Sequence, residues 1–294
     1  MDDIQRVRQI WATLGLPGII DVHTHFMPKQ VMDKVWRYFD SNGPLIGRDW
    51  PIAYRTDEEQ RVNTLRRFGV RWFTSLVYPH KPQMAQWLNQ WAAQFALTTP
   101  DCLPTATFYP EPGAVEYVAH AIDGGAKVFK AHIQVGGYDP NDRLLDGVWG
   151  VLVDAGTPVI IHCGSGPAPG THTGPGPIRA LLGRHPRLAL VIAHMGMPEY
   201  RDFTDICVRH DNVRLDTTMV FTPFSEAMMP VPPEVLRMLP ELGERILFGS
   251  DFPNIPYDYP AAMTAITTLE GIDDDWLRGV FYDNAARLFG LTSS

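Results

Sequence analysis

The chain has 294 residues, 45% of them hydrophobic and 20% charged, with a formal net charge of -8. That is the composition of a folded globular protein with enough apolar material for a sizeable core. The acidic balance argues against a nucleic-acid partner or an anionic membrane surface.

Cys102, Cys163 and Cys207 are widely spaced, with no CxxC pair, and read as reduced thiols of an intracellular protein. The start, Met1 to Arg6, lacks the basic and apolar segments of a secretory signal, and no apolar run approaches ~18 residues. Cytoplasm is the expected location.

In chain order, short β-branched runs alternate with longer amphipathic stretches. The first strand is expected near Gly18–His23, followed by a long insertion. That insertion has a helix around Gln30–Phe39 and a Gly/Pro-rich loop from Ser41 to Arg55. Asp57-Glu58-Glu59 starts a helix to Phe68, with acidic residues at its positive end.

Val70–Tyr78 is the second strand. A helix over Pro82–Leu97 follows, whose Trp87, Trp91 and Phe95 fall at helical spacing and predict a core-facing stripe. Strands are expected at Leu103–Tyr109, Ala126–Gln134, Val159–Cys163, Leu188–His194, Val213–Met219 and Arg245–Phe248, with helices between them. Eight strands, each followed by helix, predict a (β/α)₈ TIM barrel as one α/β domain over residues 1–294. A doubly wound open sheet is the competing fold, but it does not call for polar residues at so many strand ends.

Those ends carry the candidate chemistry. Alternate residues of a strand share a face, so His23 and His25 of Asp21-Val22-His23-Thr24-His25-Phe26 point the same way. Later ends bring Lys130 and His132, His162, His194, Asp216 and Asp251. One strand-end histidine can be a capped or solvent-facing side chain. The ordered set points instead to a divalent metal, for which imidazole and carboxylate are common ligands.

This ordered set resembles that of the amidohydrolase superfamily. Asp21 to Phe26, Leu247-Phe248-Gly249-Ser250-Asp251-Phe252-Pro253 and Asn284-Ala285-Ala286-Arg287-Leu288-Phe289 are similar to its amidohydrolase-related branch, which includes aminocarboxymuconate-semialdehyde decarboxylase. The resemblance implies that His23, His25, His162 and Asp251 hold one divalent ion, zinc being expected. It also implies that His194 polarises a substrate oxygen or orients water. Chemically, such a ligand set leaves room for a water of lowered pKa, and Asp251 can take its proton and pass it to a leaving group.

Binuclear members of the superfamily carry a carboxylated lysine or a glutamate on the fourth strand, a place Lys130 could take. Lys130-Ala131-His132 looks more like the Lys-x-His of mononuclear members, with both side chains lining the pocket. The loop from Gly164 to Gly176, holding His172, reads as a lid or as a rigid turn.

Two reactions fit. One is hydrolysis of a small amide, ester or lactone. The other is non-oxidative decarboxylation of a small unsaturated or aromatic acid, with Arg48, Arg55 or Arg179 holding the carboxylate. A barrel that binds a metal or ligand without turnover is the third reading. Relatives are frequently homodimers, which makes that assembly an expectation here.

Overall fold

The computed structural model describes residues 2–46 and 48–291. The domain limits expected from sequence include Met1 and residues 292–294, and the expected loop from Ser41 to Arg55 includes Gly47; these lie outside the described residues. Nine strands form among the described residues: β1 Ile19–Asp21, β2 Val70–Thr74, β3 Cys102–Leu103, β4 Thr105–Thr107, β5 Val128–His132, β6 Val159–His162, β7 Leu190–Ile192, β8 Val213–Asp216 and β9 Ile246–Leu247. The expected third strand is interrupted between β3 and β4 at Pro104, which has no N–H to give to a ladder.

The chain divides into two compact units. One is formed by the residues up to Phe73 and those from Asp216 onward, the other by Thr74–Leu215. In the first unit β1 and β2 run parallel, with Ile20 opposite Trp72 and Asp21 opposite Phe73. Beyond β1, the chain lies along the segment that follows β9. Val22 N–H donates to Phe248 O at 3.0 Å, Asp251 N–H to His23 O at 2.8 Å and His25 N–H to Phe252 O at 2.7 Å. Fully buried Ile19, Ile20, Phe26, Phe73, Phe248, Phe252 and Phe281 pack this unit. Each such side chain contributes roughly 1.5–3 kcal/mol relative to exposure.

The unit opens with a helix, Asp3–Thr13, that the sequence reading did not anticipate. Asp2 caps it by accepting from Gln5 N–H at 2.8 Å, and Trp11 Nε1 donates to Phe68 O at 2.9 Å. The insertion helix runs over Lys29–Ile46, past the expected stop near Phe39. Ser41, expected to begin the loop, instead returns its hydroxyl to the carbonyls of Arg37 and Tyr38 within the helix.

In the second unit β4, β5, β6, β7 and β8 lie side by side, all parallel. Helices follow as Ala114–Asp123, Asp146–Ala155, Pro175–Arg184 and Tyr200–Arg209. Val128, Phe129, Ile160, Ile161, Val191 and Ile192 are buried whichever way they alternate. Burial on both faces is what parallel strands covered by helices require.

One core assignment needs correction. In the helix Ala85–Thr98 the buried face is Ala85, Leu88, Ala92 and Phe95, while Trp87 is 39% exposed. The aromatic spacing of four drifts around the helix; Ala85, Leu88, Ala92 and Phe95, at spacings of three and four, mark the packed stripe. Trp91 stacks on Phe95 with ring centroids 5.2 Å apart. Cys102, Cys163 and Cys207 are buried, and none of them forms a disulfide among the described residues. No helix among the described residues is long and apolar enough to cross a membrane.

Candidate metal site

The first unit gathers His23, His25 and Asp251. The paired segments after β1 and β9 set their backbones side by side, and the side chains meet. His25 Nε2 lies 3.0 Å from Asp251 Oδ1, and His23 Nε2 lies 3.6 Å from the same oxygen. Donors about 2.0–2.1 Å from a tetrahedral ion stand roughly 3.3 Å from one another, so the two distances bracket the spacing that an ion needs.

Asp216, at the end of β8, fixes the proton of His23. Its Oδ2 is 2.9 Å from His23 Nδ1, and both side chains are buried. A carboxylate only accepts, so Nδ1 carries the hydrogen and Nε2 keeps its lone pair for a metal. Asp216 is held in turn by Thr218 N–H on Oδ1 at 3.1 Å.

Asp21 ties the two segments together. Its carboxylate accepts from His23 N–H at 3.2 Å, Ser250 N–H at 3.1 Å, Ser250 Oγ at 2.6 Å and Tyr259 OH at 2.8 Å. Complete burial pushes the Asp21 carboxyl up to about 7, against hydrogen bonds that pull it down. Asp251 itself adopts φ +73°, a left-handed conformation uncommon outside glycine. Gly249 keeps the approach open: a Cβ there would collide with Thr218 Oγ1 and come within 2.7 Å of His23 Cβ.

The second unit gathers the other histidines. His132 and His162 are opposite each other in β5 and β6, and their rings stack at 4.1 Å with an interplanar angle of 11°. His162 and His194 meet edge to face at 4.8 Å. His162 Nε2 donates to Gly166 O at 3.1 Å, which places a hydrogen on Nε2. His194 follows β7 with φ +55°. Lys130 sits two residues before His132 in β5 and is fully buried.

The loop from Gly164 to Gly176 is a pinned turn. Ser165 N–H donates to Glu199 at 3.0 Å, Gly166 N–H to Met197 O at 3.0 Å and Gly174 N–H to Cys163 O at 2.7 Å. Its His172 lies 3.9 Å from Asp139.

The three arginines expected to offer a cation are placed differently from one another. Arg48 donates to Phe224 O at 3.1 Å and covers the Phe224 ring. Arg55 pairs with Asp40, and Arg179 pairs with Asp202 at 2.6 Å, both in exposed positions.

An arginine that the sequence reading passed over is buried instead. Arg61 is 4% exposed, with its guanidinium 5.5 Å from the Phe26 ring and 5.3 Å from the Trp36 ring. Its Nε and Nη1 have no hydrogen-bond partner among the described residues. Burial lowers its pKa, opposed by Glu58, Asp57 and Asp33. Trp36 Nε1 donates to Asn254 Oδ1 at 3.0 Å, and Asn254 N–H donates to Asp251 O at 2.8 Å, so the Trp36 ring beneath Arg61 is tied to the Asp251 segment. Its signal in the sequence is its place with Leu65 and Phe68, at i, i+4 and i+7, on the buried stripe of the helix Glu58–Phe68.

Comparison with known proteins places the fold. None of the curated proteins compared matches the chain. Among solved structures, an uncharacterised TIM-barrel protein from Bordetella bronchiseptica is similar at TM-score 0.75 and 20% identity, covering 93% of this chain and 99% of that one. A 5-carboxyvanillate decarboxylase from Novosphingobium aromaticivorans, solved with manganese and 4-hydroxy-3-methoxy-5-nitrobenzoic acid, matches at TM-score 0.61 and 16% identity, covering 94% and 97%. A candidate 2-pyrone-4,6-dicarboxylic acid hydrolase from Pseudomonas putida matches at 0.64 and 16%, covering 95% and 99%. At such identities the likeness shows the fold, which is a (β/α)₈ TIM barrel. The amidohydrolase family model matches residues 20–291, a span that holds every candidate ligand from His23 to Asp251. The chain belongs to the amidohydrolase family.

Proposed function

We propose that the protein is a metal-dependent hydrolase of a small amide, ester or lactone, with one divalent ion held by His23, His25 and Asp251. The observation that carries this reading is the approach of two imidazole Nε2 atoms to one Asp251 oxygen, at 3.0 and 3.6 Å, with Asp216 fixing the tautomer of His23. Zinc is the ion we expect, and the manganese of the decarboxylase structure supports a divalent ion of some kind. When bound, such an ion supplies Lewis acidity and a water of lowered pKa.

The chain's own residues supply the rest. Asp251 accepts the proton of the attacking water and hands it to the departing group. His194 donates to the substrate oxygen on which negative charge develops. Lys130 and His132 line the pocket.

A second reading is a carboxy-lyase. There the C–C bond to the carboxylate breaks, carbon dioxide leaves, and the proton from Asp251 goes to the carbon. One structural neighbour is a decarboxylase and another a candidate hydrolase, which supports keeping both.

The test is a panel of carboxylated and acylated small molecules with the metal-replete protein, scoring carbon dioxide separately from hydrolytic acid. Acid without carbon dioxide supports the hydrolase. Carbon dioxide release replaces it with the lyase, and no turnover of either kind overturns both.

A further inference from the structure

A cavity lies within the unit Thr74–Leu215, between the helices Ala85–Thr98 and Ala114–Asp123. Its volume is about 710 Å³, within the range of small-molecule sites. The outer face of a parallel strand is ordinarily covered by helix. Here the two helices stand apart, and Pro104 to Ala106, around the start of β4, form the floor.

The walls are set before any ligand arrives. Asn89, which could otherwise fill the gap, is engaged with the backbone of Thr107. Its Nδ2 donates to Thr107 O at 3.0 Å and its Oδ1 accepts from Thr107 N–H at 2.8 Å. Tyr117 OH accepts from Tyr109 N–H at 3.0 Å and reaches Glu111 Oε1 at 3.1 Å.

Charge decides what the cavity would take. Among the described residues lining it there is no lysine or arginine, and His120 is the only base. Glu111 is nine-tenths buried, and its two oxygens accept from neutral donors, Gln83 N–H and Tyr117 OH. Neither Glu111 nor Glu116 has an ion-pair partner among the described residues. A buried carboxylate without a cation costs stability that a positively charged ligand restores. Ala93, Leu97, Pro104 and Ala106 offer apolar surface beside it.

We propose that this cavity binds a small organic cation, a protonated amine on an apolar body, with the ammonium at Glu111 and Glu116. The site lies within one unit and does not depend on the metal or on the proposed hydrolase reading.

The experiment uses the full chain and three probes of similar size: 2-phenylethylamine, 2-phenylethanol and 3-phenylpropionate. Binding is followed by calorimetry and by ligand-observed NMR. The amine should bind saturably, about tenfold or more tighter than the alcohol, and the anion weakest of all. Glu116→Gln, at an exposed position, should weaken the amine about fivefold or more, and Ala93→Trp, which fills the cavity, should remove its binding. Thermal melts check that both variants are folded. An alcohol that binds as well as the amine, amine binding untouched by both substitutions, or no saturable amine binding overturns the proposal.

Discussion

In the unit that holds His23, a carboxylate stands behind the imidazole: Asp216 takes the hydrogen of Nδ1 at 2.9 Å. In the unit that holds His162, a backbone carbonyl does the corresponding work, with Gly166 O at 3.1 Å from Nε2. Both arrangements choose a tautomer. The anion also raises the electron density on the opposite nitrogen, which a neutral carbonyl does far less. On the proposed reading, the carboxylate behind His23 favours it as a metal ligand more than the carbonyl behind His162 does.

The variants that probe this contrast most strongly are catalytic. Asp251→Asn keeps the shape of the side chain but removes its basicity, so turnover should fall by about 10²- to 10⁴-fold while circular dichroism stays unchanged. An active Asn variant would remove Asp251 from proton transfer. His194→Ala should leave the metal in place and slow turnover by about 10²- to 10³-fold. If metal is lost along with activity, His194 is a ligand and its proposed role at the substrate oxygen fails.

Asp216→Asn sharpens the comparison on the side of the anchor. Asn can still accept from His23 Nδ1 but carries no charge, and metal affinity measured by competitive chelation should drop about 10- to 100-fold. An unchanged affinity would make Asp216 equivalent to the Gly166 carbonyl. Gly249→Ala acts through shape alone. Its Cβ collides with Thr218 and crowds His23, and urea unfolding should show a loss of about 1–3 kcal/mol.

Much of this architecture could be read from sequence because its signals are local. Val159-Ile160-Ile161-His162 announces β6 and its polar end in four residues. His23 and His25 declare a shared face through a period of two. What could not be read depends on distant partners. The donors to Asp21, Ser250 and Tyr259, lie 229 and 238 residues further along the chain. Asp216 stood out as a polar strand end, but its role needed the position of His23. Arg61 looked like any charged residue of an acidic-start helix, although its stripe with Leu65 and Phe68 already marked it for burial. Arg55 and Arg179, candidates for holding a substrate carboxylate, have carboxylate partners whose approach only the fold arranges.

Metal content tests the central claim most directly. Elemental analysis of the wild-type chain, purified with added zinc or manganese and then dialysed, should find about one ion per chain, falling to near zero in folded His23→Ala. Full metal content in His23→Ala, or a wild-type protein that retains none, would contradict the account.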